Sequence, residues 1–375
     1  NSQISGRRFA YLATVTDSSS TSYTFGKNMD QNYGTTAIDE YAVDVTWEVA
    51  DKTDIGVDMR LLNNKLNLQF DYFKESREGI YLRRSSIPSY VGMINNPYGN
   101  IGKVENKGFE LSVNYANSWG GDWSLSLMGN YSFNRNKVLE DDSTVVYPWQ
   151  NTIGNKVGQR FGLVALGLFE SYGEIAASPV QTGDTRPGDI KYKDINGDGK
   201  IDEYDKVPIG WGSVPEIMYG FGFSVGWKNL SLTAMFQGAA HVDAMLSGEG
   251  VLPFSQGSSR GNLLSNITDR WTEENPRQNA FYPRLSIGNI NMNYEESTWW
   301  LKDTDYLRLK NIELSYRLPD HWMKRIHLDN ARIFIQGVNL LTFSSFKIWD
   351  VELGDGRGAR YPNIASVSLG VNFNF

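Results

Sequence analysis

The final twelve residues, 364–375, place Ala365, Val367, Leu369, Val371, Phe373 and Phe375 on one face of an extended chain and Ser366, Ser368, Gly370, Asn372 and Asn374 on the other. Such period-two alternation predicts a strand with one apolar and one polar side. The pattern recurs upstream. Trp123, Leu125, Leu127, Tyr131 and Phe133 alternate with Ser124, Ser126, Asn130, Ser132 and Asn134, and Ile217, Tyr219, Phe221, Phe223, Val225 and Trp227 with Gly220, Gly222, Ser224, Gly226 and Lys228. Leu230, Leu232, Ala234 and Phe236 face away from Ser231, Thr233 and Gln237. Ile55, Val57, Met59 and Leu61 oppose Asp54, Gly56, Asp58 and Arg60, and Phe109, Leu111, Val113 and Tyr115 oppose Glu110, Ser112 and Asn114. An aromatic-rich apolar face opposite a small, amide or charged one is the pattern of a transmembrane barrel with lipid outside and a wet lumen. A secreted all-β domain with an aromatic core alternates as well and is the competing reading.

Loop lengths then order the strands. Short polar turns at 62–65, 118–122 and 227–229, and a longer one at 319–330, separate segments whose other ends are joined by long irregular stretches. In bacterial barrels the short turns are periplasmic and the long loops extracellular. The fold class expected is all-β, an antiparallel transmembrane β-barrel. Ten strands are predicted, near 7–15, 43–60, 65–84, 101–116, 122–138, 215–227, 230–240, 304–317, 329–344 and 362–375. An even number puts both chain ends on the periplasmic side. Val157–Glu170 reads as a possible further strand, but one more crossing would put the 227–229 turn on the wrong side of the membrane. Residues 139–214 are therefore read as one extracellular excursion, folding inward or forming a rim hairpin, and 241–303 as a second long extracellular loop. Leu307 and Leu309 point one way and Ile312, Leu314 and Tyr316 the other, so a β-bulge is expected near Lys310 and Asn311.

Composition narrows the classes. Charged residues make up 21 % and hydrophobic ones 40 %, and no apolar run approaches the ~20 residues of a spanning helix. Cysteine is absent, which removes disulfide, thiolate-metal and cysteine-nucleophile chemistry. A net charge of −7 argues against a nucleic-acid partner. His241, His321 and His327 lie in different segments without metal-ligand spacing. The chain opens on Asn-Ser-Gln with neither methionine nor signal sequence, so a processed product or a fragment is expected.

Four ordered motifs carry a family resemblance. They are Val104-Glu-Asn-Lys-Gly-Phe-Glu-Leu111, Arg186-Pro-Gly-Asp-Ile-Lys-Tyr-Lys-Asp-Ile-Asn-Gly-Asp-Gly-Lys-Ile-Asp202, Arg270-Trp-Thr-Glu-Glu-Asn-Pro276 and Tyr306-Leu-Arg-Leu-Lys-Asn-Ile-Glu-Leu-Ser-Tyr316. Together they resemble the SusC/RagA family of TonB-dependent outer-membrane transporters, over nearly the whole chain but only as the C-terminal part of such a protein. The resemblance implies a Gram-negative outer-membrane location and a barrel of ~22 strands, of which ten are somewhat under half. It further implies import of oligosaccharides, or of peptides in some members, driven by the TonB complex and capped by a SusD-like surface lipoprotein. The family's plug domain, TonB box and early strands have no counterpart in this sequence. Because open sheet edges cannot be solvated by hydrocarbon, an N-terminal barrel and plug portion is expected as a partner, on a separate chain or on the same one. A passive porin and a secreted carbohydrate-binding β-domain stand as alternatives, and no enzymatic activity is expected.

The strongest local chemistry is Asp194-x-Asn196-x-Asp198-Gly199-Lys200-x-Asp202-x-x-Asp205. Side-chain oxygens at loop positions 1, 3, 5, 9 and 12, glycine at 6 and the Lys200 carbonyl at 7 match a Ca2+ loop, since a hard cation takes six to eight oxygens. Asp replaces the usual Glu at the last position, and nearby prolines argue against flanking helices. The ion's expected task is structural, pinning an extracellular loop. An Asx-rich solvated turn is the plainer reading of the same residues. Residues 258–271 show helical spacing of Leu263, Leu264, Ile267 and Trp271. Trp211, Trp299, Trp300 and Trp349 read as an interfacial girdle, with sugar stacking as the other use of such residues. Gly220-x-Gly222-x-x-x-Gly226 is rejected as a nucleotide loop because the glycines share one strand face, and Glu295-Glu296 is read as lacking a positioned partner for glycosidase chemistry. No substrate-contacting residue is identifiable from sequence.

Overall fold

The computed structural model describes residues 11–27, 31–40, 44–91, 93, 95–248, 250–254, 263–288, 290–325, 328–354 and 356–374. Nine long strands form one sheet: β1 (Val49–Leu61), β2 (Leu66–Arg83), β3 (Tyr98–Trp119), β4 (Trp123–Glu140), β5 (Ile217–Trp227), β6 (Leu230–Ala240), β7 (Tyr306–Arg317), β8 (Asn330–Ser344) and β9 (Ser366–Asn374). Each neighbours its sequence successor, and the pairs from β4–β5 through β8–β9 are antiparallel. These nine correspond to the last nine expected strands. Of the expected first strand, 7–10 lie outside the described residues, and Thr14 opens a separate hairpin, Thr14–Phe25 with Gln31–Glu40. Its first arm, TVTDSSSTSYTF, is too rich in Ser and Thr to show an apolar face, so periodicity missed it.

Turn chemistry fixes the short connections. Leu62, Asn63 and Asn64 adopt φ of 55°, 55° and 66° between β1 and β2. Asparagine tolerates this left-handed region better than most residues, whereas Gly120 and Gly121 between β3 and β4 enter it at φ 58° and 75° without a Cβ clash. The expected bulge is present. Leu309 pairs with Phe236 and Asn311 with Met235, so Lys310 is extra relative to β6. Against β8, the same two residues pair with Leu341 and Val338, making β8 longer by one in turn. Asn339, at φ 54°, absorbs part of that second offset.

The two faces of the sheet differ as the alternation requires. On the apolar face Phe221 stacks on Phe236 at 5.0 Å and Trp123 meets Trp227 at 5.8 Å. Phe109 lies between Phe70, Tyr131 and Phe133 at 5.7–6.2 Å. Val367, Leu369, Val371 and Phe373 of β9 are exposed, which suits lipid contact and not a water-facing surface. Across the polar face Ser224 bonds Thr233 at 2.9 Å, Ser231 bonds Ser315 at 2.7 Å and Arg332 donates to Glu313 at 2.8 Å. The Gly220 and Gly226 positions lie within β5 beside Asn130 and Ser124, where a Cβ would collide with their side chains.

The chain divides into two compact units, 1–53 with 73–107 and 135–157, and 54–72 with 108–134 and 158–375. In the first, Asp142 accepts the backbone N–H groups of Ser85 and Ser86 at 2.8 and 3.0 Å, and charged side chains pair on the strands, Lys74 with Glu105 at 2.8 Å among them. The second holds nearly all of the buried apolar residues. They lie mainly in the segments between wall strands, because a wall solvated by lipid on one side and water on the other needs no interior of its own.

Candidate functional site

The described residues of segments 158–214, 241–303 and 345–353 fold onto one another. Leu163, Leu168, Ile190, Tyr192, Met245, Trp271, Tyr282, Trp300 and Phe346 form their shared core. Short ladders hold the segments, Ala165–Leu168 with Ile190–Tyr192, Arg160–Gly162 with Val207–Ile209, and Asp243–Met245 with Leu301–Asp303. The stretch 157–170 is thus two short strands of this loop assembly and not a wall strand. Burying side chains of this size stabilises by ~1.5–3 kcal/mol each, so the assembly has its own driving force for folding.

A polar hub fixes its geometry. Asp189 is buried, with Oδ1 2.9 Å from Arg284 Nε and Oδ2 2.9 Å from Nη2. Asn291 and Asn293 donate to the same carboxylate at 3.1 and 2.8 Å, as does the backbone N–H of Arg186 at 2.9 Å. Asn293 Oδ1 then accepts from Ile190 N at 2.9 Å. This network makes a buried charge tolerable, because its lone pairs are all engaged. Next to it, Gly188 (φ 87°) lies under the Trp271 indole, where a Cβ would come within 2.1 Å of the ring. The Arg-Pro-Gly-Asp and Arg-Trp motifs, far apart in sequence, therefore meet as one packing unit.

The Asp194–Asp205 loop lies beside this hub. Asp194 accepts from Gly197 N at 2.7 Å and Gly199 N at 2.9 Å. Asn196 accepts from Asp198 N at 3.0 Å, Asp198 from Lys200 N at 2.9 Å and Asp202 from Tyr204 N at 2.8 Å. Asp205 is fully buried and takes the N–H groups of Ile195 at 2.7 Å and Asp202 at 2.9 Å. Lys200 begins a two-residue ladder with Val180–Gln181. The donor types and their order suit a hard cation, while the oxygens here are engaged with the loop's own N–H groups. Among the described residues no group of three or more His, Cys, Asp or Glu side chains is arranged to hold a metal.

Several expected placements change. Residues 258–262 lie outside the described residues, and only a 3-10 turn, Ser265–Thr268, follows. Trp271, expected on the apolar face of that helical segment, packs over Gly188. Trp300 is buried, donating its indole N–H to Asn293 O at 2.7 Å, and Trp299 and Trp349 pack on the loop core. Trp211 stacks on His241 at 4.0 Å, and His241 reaches Glu216 at 3.2 Å. Trp299, Trp300 and Trp349 are thus taken up by the loop assembly, whereas Trp211 is exposed beside His241, and at the short-turn ends Trp119, Trp123 and Trp227 are exposed as well. Glu295 does have a partner, Lys206 at 3.6 Å. His321 meets Trp322 edge to face, and His327 is outside the described residues.

Two features had no reading in the sequence. Arg308 of β7 is buried and clasps Asp350, with Glu352 at 3.3 Å. Burial pushes the Asp350 carboxyl up, but hydrogen bonds from Arg308 and from the N–H groups of Glu352 and Asn363 outweigh it and hold the group below the ordinary carboxylate range. The second is a cavity of about 610 Å³, walled by Phe281 and Phe346 and reached by Asn266, Lys302 and Asp303. Lys302 donates to Trp299 O at 2.7 Å and stands 5.5 Å above the Phe281 ring. Burial lowers its pKa.

The sequence profile described as TonB dependent receptor-like, beta-barrel, matches residues 14–340. The chain belongs to the TonB-dependent receptor-like β-barrel family. It is 28 % identical to TonB-dependent receptor P3 of Formosa agariphila over 92 % of this chain and 36 % of the relative. It is 24 % identical to TonB-dependent receptor SusC of Bacteroides thetaiotaomicron over 99 % of this chain and 36 % of that protein. The chain thus spans little more than a third of such relatives. The structure of the RagAB peptide transporter superposes with a TM-score of 0.66 at 21 % identity, over 98 % of this chain and 39 % of that one, a likeness of fold. These TonB-dependent receptors place the chain among outer-membrane barrels of Gram-negative bacteria, of the SusC/RagA type.

Proposed function

We propose that this chain is the C-terminal barrel part of a TonB-dependent importer of oligosaccharides, working with a SusD-like surface lipoprotein. The family's plug and TonB-contacting box would couple it to the TonB complex. The observation that carries this reading is the barrel-family match running through the wall and the loop assembly alike. The family match supports energised uptake over a passive porin and a membrane wall over a secreted domain. The relatives are named as receptors, and no chemical step is proposed.

For the substrate, the loop cavity supports a sugar. Aromatic walls beside amide and carboxylate groups supply the ring faces and paired donors and acceptors that polyols use. The peptide-transporter neighbour favours a peptide cargo as the second reading. Deleting the full-length coding sequence decides between them. Loss of growth on oligosaccharides, reproduced by loss of TonB, supports the proposal; loss on peptides alone overturns the sugar cargo, and unimpaired growth on both overturns import. A lipoprotein recovered with the intact transporter supports the partner.

Calcium belongs to the same proposal. Asp194, Asn196, Asp198, Asp202 and Asp205, with the Lys200 carbonyl, would hold one Ca2+, which would neutralise the crowded carboxylates and stiffen the loop.

A further inference from the structure

We propose that the cavity between Phe281 and Phe346 is a subsite for an acidic sugar residue, its carboxylate held by Lys302. The inference rests on the oligosaccharide reading and narrows it to uronate-bearing glycans.

The Lys302 ammonium lacks an anionic partner among the described residues. Lys302 is fixed by the ladder of Leu301–Asp303 against Asp243–Met245, opposite Ala244. Its Nζ gives one hydrogen bond, to the Trp299 carbonyl. Among the described residues no carboxylate lies within ion-pair distance of it, although most other loop cations are paired, Lys191 with Glu174 and Lys206 with Glu203 among them. Two of its three N–H donors therefore remain for another partner. Leaving a half-buried ammonium without an anion costs free energy, seen as its lowered pKa. The cavity it lines holds a second cation, Lys347, against the single carboxylate Asp303, and Asp303 is engaged with the Asp305 N–H at 2.7 Å.

The shape of the site completes the match. A space of about 610 Å³ is of the size that takes a small ligand. The Phe281 ring lies 5.5 Å from the Lys302 ammonium, and both line the cavity with Phe346, so a ligand there meets an aromatic wall beside a cation. A pyranose has such a face in its axial C–H groups, and a uronate carries the anion at its edge. Asn266 and Ser345 offer neutral donors and acceptors for the remaining hydroxyls. A neutral sugar would leave Lys302 uncompensated, whereas a purely inorganic anion would leave the rings uncovered.

The test uses the intact transporter in detergent, with titration calorimetry on digalacturonate, diglucuronate and the matching neutral disaccharides. A uronate should bind roughly 10-fold more tightly than its neutral analogue, the effect of one charge-assisted hydrogen bond. Lys302→Met should abolish that preference, so that uronate and neutral analogue bind alike, and Lys302→Arg should restore much of it. If Lys302→Met does not fold, exposed Lys347→Met and added salt should each reduce uronate binding selectively. Equal binding of charged and neutral sugars, or a preference that survives Lys302→Met, overturns the subsite and leaves the oligosaccharide reading standing. Binding of neither sugar overturns the subsite; if acidic peptides bind in their place, the oligosaccharide reading fails with it.

Discussion

Arg284 and Asp189 meet as a buried two-point ion pair, both N–O distances 2.9 Å, and the loop assembly is organised around it. Removing one partner leaves the other charged and enclosed, which costs ~3–5 kcal/mol. Asp189→Ala should therefore loosen 158–214 and 263–303 together, because Asn291, Asn293 and the Arg186 backbone all lose their acceptor. The wall should remain folded on its own ladder. Limited proteolysis of the detergent-solubilised transporter checks this, with cleavage expected in the loops and an unchanged barrel fragment; loop protection equal to wild type would contradict the hub.

Gly188→Ala tests the neighbouring contact. The added methyl would sit 2.1 Å from the Trp271 ring on a backbone at φ 87°, so overpacking and conformational strain act together, each ~1–3 kcal/mol. Trp271→Leu should partly rescue the alanine variant by vacating that space. Tryptophan fluorescence and thermal unfolding of the loops report both effects. Additive losses in the double variant would argue against direct contact.

The wall makes a face-specific prediction. Leu127 pairs with Phe223 on the apolar side and Ser126 with Ser224 on the polar side. Leu127→Arg should destabilise by ~2–4 kcal/mol where it meets the middle of the bilayer, while Ser126→Arg projects into water and should be tolerated. Refolding into lipid vesicles distinguishes them, and equal damage from both would undo the assignment of faces.

These contrasts also show what periodicity can reveal. Nine wall strands were legible because lipid and water impose a period of two on every residue, and even the bulge at Lys310 was visible from Leu309 and Ile312 exchanging sides. The loop assembly obeys no such rule. Trp299, Trp300 and Trp349 lie near wall-strand ends in sequence and suggest a girdle, yet Trp300 is buried in a core that Leu163 and Ile190 reach from more than a hundred residues away, and Trp299 and Trp349 pack on it. Lys302 was silent for the same reason. An unpaired lysine is recognisable only once its neighbours are known, whereas Asp194–Asp205 stood out because its donors are local.

The Arg308–Asp350 clasp predicts acid resistance. Asp350 has a folded-state pKa below its ordinary value, so its contribution is present above the unfolded value and is lost as pH falls through the folded one. The segment 345–363, also tied by Asn363 N to Asp350 at 2.8 Å, should stay protected through neutral and mildly acidic pH and open only below the usual carboxylate range. Asp350→Asn should remove that dependence and weaken the clasp at every pH. Hydrogen exchange of 345–363 against pH would show it; opening of the wild-type segment already near neutral pH is the contrary result.

In the 194–205 loop, oxygens of Asp194, Asn196, Asp198, Asp202 and Asp205 accept backbone N–H groups, so the turn has local support without an ion. Calcium should add to that support by offsetting repulsion among four carboxylates, with an affinity of ~0.1–1 mM, as for extracellular modules. Chelation should then expose 194–205 to protease while the Asp189 hub, which uses none of these donors, keeps the adjoining segments closed. Added Ca2+ should restore protection, and Mg2+, which demands tighter octahedral geometry, should restore less. Asp198→Ala is the discriminating variant, because its carboxylate is exposed and its loss costs the turn only the bonds from the Lys200 N–H and the Asn196 side-chain amide. If wild type and Asp198→Ala give the same cleavage pattern with and without chelator, the segment is a self-contained polar turn and the ion has no place in it.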